Sequence, residues 1–446
     1  MTLLTIQPGA ALNGSAAVPG DKSISHRAAL FAALAQGESR IENFLQSGVT
    51  DAMLRCLDGF GVSWDWQDGA LLVQGAGLAG WRTPAAPLDC GNSATTLRLV
   101  SGAAAAAGLE TCLDGSAGLR RRPMERILTP LRRLGVAVDA AAGDCAPLNL
   151  HARPAGQNLR AAALTLPVAS AQVKSCLLLA ALAADGPVTI IEPSLSRDHS
   201  ERMLRAQGVD VRGQSVQDGW AVTLTPPAQA LAPLQMPIPG DFSAAAFLLV
   251  AALITPDACV RLPGVELNPT RTGLLEALLE MGADIRIENR RELGGEPVGD
   301  LVARASQLRG GQVSGQRVVD MIDEFPIFAV AAAYAQGDTR VSDAQELRYK
   351  ESDRIHLLCG ELAAQGAQVD EAADGFIIHG RGGLPGGAQA DPHGDHRLAM
   401  SLAVAGLASR QPISVGNSAI IGESFPGFSA ALRQLGARLI EEPALD

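Results

Sequence analysis

The sequence predicts an α/β protein of two domains, each built from three copies of one unit that combines strands with a buried and a surface helix. Three observations predict it. First, amphipathic stretches that end in glycine and run into a short alternating segment occur six times: MLRCLDGFGVSW, ILTPLRRLGVAVD, SERMLRAQGVDVR, LLEALLEMGADIR, LLCGELAAQGAQVD and FSAALRQLGARLI. Their closing glycines, Gly61, Gly135, Gly208, Gly282, Gly366 and Gly436, lie 74, 73, 74, 84 and 70 residues apart. Second, six nearly all-apolar stretches with polar starts interleave with them: GDKSISHRAALFAALA, GNSATTLRLVSGAAAAA, ASAQVKSCLLLAALAA, GDFSAAAFLLVAALI, IDEFPIFAVAAAYA and GDHRLAMSLAVAGLA. Third, the phrase V-P-G-D-K-S at Val18–Ser23 returns as I-P-G-D-F-S at Ile238–Ser243, 220 residues later, which leaves three units in each half.

Each element has a physical reason. A glycine after an amphipathic run tolerates the left-handed backbone that stops a helix. The V-x-V or A-x-I tail behind it alternates with the period of a strand. The Ala- and Leu-rich stretches are strong helix formers, and a helix apolar on most sides is buried. A recurring period of this size marks a repeat architecture. The domain boundary is expected near Met236-Pro237-Ile238-Pro239-Gly240. The stretch ELGGEPVG, Glu292–Gly299, reads as an extended hairpin or loop and accounts for the long spacing of 84 residues.

Composition narrows the function. The chain has 446 residues, is 47% apolar and carries a net charge of −11. That affords a large core and disfavours a dedicated nucleic-acid or anionic-membrane surface. Anionic substrates remain open, because a site can be locally basic in an acidic protein. The longest apolar runs, Ala244–Ile254 and Cys176–Ala184, fall well short of the roughly 18–20 residues of a membrane span. The start MTLLTIQPGAALNG has no basic leader before an apolar run, so a cytoplasmic location is expected. Seven scattered cysteines without a C-x-x-C pair read as free buried thiols.

The polar residues of the apolar helices cluster at their N-termini, where unpaired N–H groups and the helix dipole favour anions. Lys22, Ser23 and Arg27 open the first, with Ser23 and Arg27 one helical turn apart; an oxyanion cradle and a capped helix with a solvated basic face both fit. Gly91-Asn92-Ser93-Ala94-Thr95 is a tight turn into the second, where small residues let a ligand approach the backbone. Arg122 is the most constrained member of Arg120-Arg121-Arg122, next to Pro123, although an arginine run also fits a solvated face. Ser170-Ala171-Gln172 starts the third helix and Arg197-Asp198-His199 precedes the next. Asp323-Glu324 open the fifth apolar helix, where carboxylates also simply complement the dipole. Lys350 and Arg354 are spaced to share a helix face, with like-charge repulsion that a common anion would offset. His393-Gly394-Asp395-His396-Arg397 precedes the sixth; it shows no third metal ligand, so no metal is expected. Nucleotide-phosphate, dinucleotide and G-x-S-x-G motifs are absent, so the inventory fits chemistry on phosphorylated or carboxylated small molecules, with no cofactor.

Together these phrases resemble the enolpyruvyl transferases, and most closely the 5-enolpyruvylshikimate-3-phosphate synthase family. The matching residues are Gly20–Arg27, Gly91-Asn92 with Thr95, Arg122-Pro123-Met124, Ser170-Ala171-Gln172, Lys350–Arg354 and Asp395-His396-Arg397, spread in family order over nearly the whole chain. The resemblance implies two globular domains of three repeats, residues 20–239 and residues 1–19 plus 240–446, with an active site in the cleft between them. It implies two small-molecule partners, phosphoenolpyruvate and shikimate 3-phosphate, and a monomer. Lys22, Ser23, Arg27, Ser170, Ala171, Gln172, Arg197, Asp323 and Lys350 would hold shikimate 3-phosphate. Lys22, Asn92, Ala94, Arg122, Gln172, Arg354 and Arg397 would hold phosphoenolpyruvate. Asp323, Glu351 and Lys22 would move protons.

Two departures from the family pattern matter. The usual G-N-[AS]-G-T reads Gly91-Asn92-Ser93-Ala94-Thr95, and in this family the added methyl marks the subclass that resists glyphosate; Ala171 in place of a second serine resembles that subclass too. The usual lysine of the C-terminal A-K-[ST]-F-P phrase is Glu423, a poor phosphate ligand that is free to pair with Arg397 or Arg354. The nearest alternative is the UDP-N-acetylglucosamine 1-carboxyvinyltransferase, whose loop cysteine is replaced by Ala117. A noncatalytic phosphoanion sensor is a second, disfavoured by Asp323 and Glu351.

Overall fold

In the computed structural model, which describes residues 2–443, all six closing glycines take positive φ, from 78° at Gly61 to 107° at Gly436. This is the backbone that a side chain resists and that ends a helix. Each follows a surface helix by two residues: Gly48–Gly59, Glu125–Arg133, His199–Ala206, Gly273–Glu280, Arg354–Ala364 and Phe428–Gln434. The apolar stretches form the other six long helices: Lys22–Leu34, Ala94–Ala107, Ala171–Ala181, Phe242–Ile254, Phe325–Tyr334 and His396–Ala405. They are buried as their composition requires; in Phe242–Ile254 every residue through Leu253 is buried.

The strands form six four-stranded sheets among the described residues. Five share one plan: a short outer strand runs parallel to its neighbour, and the remaining pairs are antiparallel. Three sheets are completed by distant chain. Asn13–Ser15 runs parallel to Cys259–Glu266. Thr2–Gln7 lies between Ile413–Val415 and Arg438–Pro443. Gln235–Pro237 runs parallel to Gln36–Glu42 and completes the sheet of the first repeat.

The chain divides into two compact units. The first comprises Gly20–Ile238 with Leu293–Glu296; the second comprises the chain up to Pro19, Pro239–Glu292 and the chain from Pro297 on. Each holds three of the six sheets and its own apolar core. The division falls between Ile238 and Pro239, one residue before the sequence expectation. The four residues Leu293–Glu296 are the turn of a long hairpin, Asp284–Leu293 and Glu296–Arg304, reversed at Gly294 and Gly295 with φ of 59° and 80°. Their grouping with the first unit was not legible in the sequence, because a hairpin signal fixes the turn and not what the turn packs on.

The cysteines are free, as expected, but only Cys56, Cys90, Cys176 and Cys359 are buried; Cys112, Cys145 and Cys259 are half-buried. The last three sit on inner strands of the sheets, Cys145 and Cys259 as the first residue of theirs, rather than inside a helix core. No helix is long and apolar enough to cross a membrane among the described residues.

Candidate active site

In the first unit the starts of the three buried helices meet. Asp21 caps the first through Ile24 N at 2.7 Å, Ser93 the second through Thr96 N at 3.1 Å, and Ser170 the third through Val173 N at 3.5 Å. His26 joins the first two: its Nδ1 lies 2.8 Å from Lys22 O, and its Nε2 lies 3.1 Å from Val49 O and 3.3 Å from Ser93 Oγ. Burial drives its pKa down to about 4, so the ring is neutral at pH 7. Arg27 joins the first and third, donating to Ser23 O at 3.0 Å, Ser175 Oγ at 2.8 Å and Ser200 Oγ at 2.8 Å. Gln172 joins the third and second. Its Nε2 donates to Thr95 Oγ1 at 2.9 Å, and its Oε1 accepts from Arg98 Nη1 at 2.7 Å. Arg98 also reaches Pro123 O at 3.4 Å, bringing the Arg122-Pro123 segment to the same place. Asn92 is exposed and accepts from Ser116 Oγ at 3.1 Å, whereas Ala94 is buried at the first turn of its helix.

In the second unit the corresponding starts are acidic. Asp241, Glu324 and Asp395 stand at the N-caps of the Phe242, Phe325 and His396 helices. Ser243 Oγ hydrogen-bonds Glu324 Oε1. Three cations surround Asp323: Lys350 Nζ is 3.8 Å and Arg354 Nη1 3.6 Å from Oδ1, and Arg397 Nη2 is 3.8 Å from Oδ2. Arg354 is fully buried and also pairs with Glu351 Oε2 at 2.7 Å and Asp395 Oδ2 at 2.8 Å. Burial opposes its charge, but Asp395 and Glu351 outweigh that and raise its pKa above the usual arginine value. Burial likewise opposes ionisation of Asp395, yet Arg354 holds its carboxyl below the usual range. Arg354 Nη1 is buried and makes no hydrogen bond within the protein, so it faces Asp323 as a strong donor with bonding capacity to spare.

The structure thus gathers Lys22, Ser23, Arg27, Ala94, Ser170, Ala171 and Gln172 within one unit, and Asp323, Lys350, Glu351, Arg354 and Arg397 within the other. One reading changes. Lys350 and Arg354 do not share a helix face: Gln345–Tyr349 is a short 3-10 turn and the next helix begins only at Arg354. They are brought together by their common neighbour, Asp323. Glu423 Oε2 lies 3.7 Å from His396 Nδ1.

Sequence reasoning gave no role to Arg98, His26 or Lys174. The usable signal was a lone charge inside an apolar helix, since a buried cation is retained only where partners compensate its desolvation. Asp198, His199 and Glu296 bring ligand-type atoms within 4.8 Å of one another. Arg202 Nε, 2.9 Å from Asp198 Oδ1 and 3.6 Å from Glu296 Oε2, already supplies positive charge to those carboxylates.

Two units of three repeats, with charged groups gathered at the buried-helix starts, define the enolpyruvyl transferase fold. The chain superimposes on the enolpyruvyl transferase NikO from Streptomyces tendae with a TM-score of 0.79 over 100% of this chain and 99% of that one, at 20% identity, a likeness of fold alone. The profile of EPSP synthase (3-phosphoshikimate 1-carboxyvinyltransferase) matches residues 6–432. A 3-phosphoshikimate 1-carboxyvinyltransferase of Roseiflexus sp. (strain RS-1) is 46% identical over 442 residues, 98% of this chain and 100% of its own. EPSP synthase from Acinetobacter baumannii superimposes with a TM-score of 0.87 at 38% identity, over 99% of this chain and 100% of that one. The chain belongs to the EPSP synthase family.

Proposed function

We propose that this chain transfers the carboxyvinyl group of phosphoenolpyruvate to the 5-hydroxyl of shikimate 3-phosphate and releases inorganic phosphate. The observation that carries the reading is the placement of Lys350, Arg354 and Arg397 within 3.6–3.8 Å of Asp323. Cations held this way bind anionic reactants beside a carboxylate that is positioned to exchange a proton with them. The 5-hydroxyl oxygen bonds to C2 of phosphoenolpyruvate, its proton passes to Asp323 or Lys22, and C3 receives a proton from Glu351. The tetrahedral ketal then loses a proton from C3, the C2–O bond to phosphate breaks, and phosphate leaves. No phosphoryl group reaches the acceptor.

Lys22, Ser23, Arg27, Ser170, Ala171, Gln172, Arg197, Asp323 and Lys350 are assigned to shikimate 3-phosphate. Lys22, Asn92, Ala94, Arg122, Gln172, Arg354 and Arg397 are assigned to phosphoenolpyruvate. The test is phosphate release from the two substrates together. Release that requires both supports the reading; binding of both without release makes the chain an anion sensor instead.

Weak inhibition by glyphosate is the finer part of the proposal. It is supported by Ala94, a buried methyl beside the Gly91-Asn92-Ser93 turn. A glyphosate titration of the wild type and of Ala94→Gly checks it. The variant is expected to become more sensitive with activity retained; sub-micromolar inhibition of the wild type overturns it.

A further inference from the structure

Lys174 belongs to none of the assigned groups, yet its ammonium sits fully buried where three segments of the first unit meet. It lies in the helix Ala171–Ala181, whose start carries Ser170, Ala171 and Gln172. Nζ donates to Glu192 Oε1 at 2.8 Å and to Ser196 O at 3.1 Å, and forms an ion pair with Glu201 Oε1 at 2.8 Å. Glu192 ends the strand Val188–Glu192, and Glu201 lies in the helix His199–Ala206. Ser196 sits in the connection between them, directly before Arg197. Glu192 grips that connection twice more: Ser196 N donates to Oε1 at 2.9 Å and Ser196 Oγ to Oε2 at 2.6 Å.

The neighbouring residues extend the seam between these two helices. Ser175 Oγ and Ser200 Oγ are 2.7 Å apart, and Arg27 donates to both. The whole seam is therefore polar and buried. An apolar pair would pack these helices with less desolvation cost, so packing alone does not call for an ammonium here. What the ammonium adds is a fixed distance between a backbone carbonyl of the Arg197 connection and the helix bearing Ser170–Gln172.

We propose that Lys174 is a positioning residue for the acceptor substrate: it sets Arg197 against Ser170, Ala171 and Gln172 so that together they match one phosphorylated, carboxylated ring. This rests on the assignment of those residues to shikimate 3-phosphate. Lys174 touches no substrate itself. Its loss leaves the ligands present but their spacing free, and an anion site held loosely binds weakly.

The experiment compares wild type, Lys174→Met and the double variant Lys174→Met/Glu201→Gln. The double variant removes the carboxylate that the single one strands, while Glu192 keeps both Ser196 bonds. Titration calorimetry gives the Kd for shikimate 3-phosphate, steady-state kinetics gives KM for phosphoenolpyruvate, and thermal melting reports the fold. The expected result is a Kd raised about tenfold or more in the double variant, with its melting temperature near wild type and its phosphoenolpyruvate KM changed less than about threefold. A folded double variant that binds shikimate 3-phosphate within about twofold of wild type, or that weakens both substrates equally, overturns the inference alone. A wild type that does not bind shikimate 3-phosphate overturns the proposed function and the inference with it.

Discussion

In the unit Gly20–Ile238 the three buried-helix starts are joined through a neutral histidine, an amide and one guanidinium, each bonded to a hydroxyl: His26 to Ser93, Gln172 to Thr95, Arg27 to Ser175. In the other unit the equivalent starts are joined by full charges: Asp323, Glu324 and Asp395 against Lys350, Arg354 and Arg397. The same repeat therefore supports two kinds of polar junction. Where only one helix start is capped by a carboxylate, Asp21, and the others by Ser93 and Ser170, an anion meets less fixed negative charge. Carboxylates set among cations stay ionised and available for proton transfer. A shared scaffold does not dictate a shared junction; the side chains at the helix starts set its charge.

The comparison breaks most directly at Asp323. Asp323→Ala is expected to lower kcat by at least about a thousandfold, the scale of a lost acid–base group, while calorimetry still detects phosphoenolpyruvate binding. Turnover near wild type would remove the charged junction from the mechanism.

A second variant tests the charge balance of the same unit. Arg354→Met strands Asp395 and Glu351, and urea unfolding should show a loss of about 3–5 kcal/mol, as for other buried ion pairs deprived of one partner. A change under about 1 kcal/mol would mean that the junction is solvated.

Acid should separate the two junctions. His26 has a folded pKa of about 4 against 6.5 unfolded, so between these values the unfolded state binds the extra proton. Its contribution is complete above pH 6.5 and is lost as pH falls to 4, by about 3 kcal/mol. Asp395 is held below the usual carboxylate range, so its contribution survives to lower pH and is lost only as pH falls through that depressed value. Unfolding curves from pH 7 to 4 should therefore be flatter for His26→Gln than for wild type. Parallel curves would remove His26 as the acid-sensitive group.

The smallest effect is expected at Thr95, which only steadies an amide. Thr95→Val deletes one neutral hydrogen bond and should weaken phosphoenolpyruvate binding by about 1 kcal/mol, a several-fold rise in KM with kcat little changed. A much larger rise would mean that Thr95 touches substrate itself.

Most of the fold was legible because its signals are local. Six glycines at positive φ and six apolar helices are each set by neighbouring residues, so their recurrence exposes the repeat. The return of P-G-D-x-S near Pro239 marked the change of unit for the same reason. The candidate site was legible as charged groups at helix starts and less so as an arrangement. Lys350 and Arg354 look like helix-face partners at their spacing, yet Lys350 precedes the helix and the two meet only at Asp323. Lys174 and Arg98 are isolated charges in apolar helices, and nothing in sequence spacing points to Glu192 and Glu201 or to Gln172.

The sequence by itself determined the two-unit α/β plan and the helix starts as sites of charge, because capping, periodicity and glycine conformation act over a few residues; the assignment of residues to substrates came from the family resemblance. Tertiary structure alone decided which charges meet, that Arg354 and Asp395 are buried as a pair, and that Leu293–Glu296 groups with the first unit. Those outcomes depend on desolvation and on contacts between residues tens to hundreds of positions apart, and both exist only once the chain has packed.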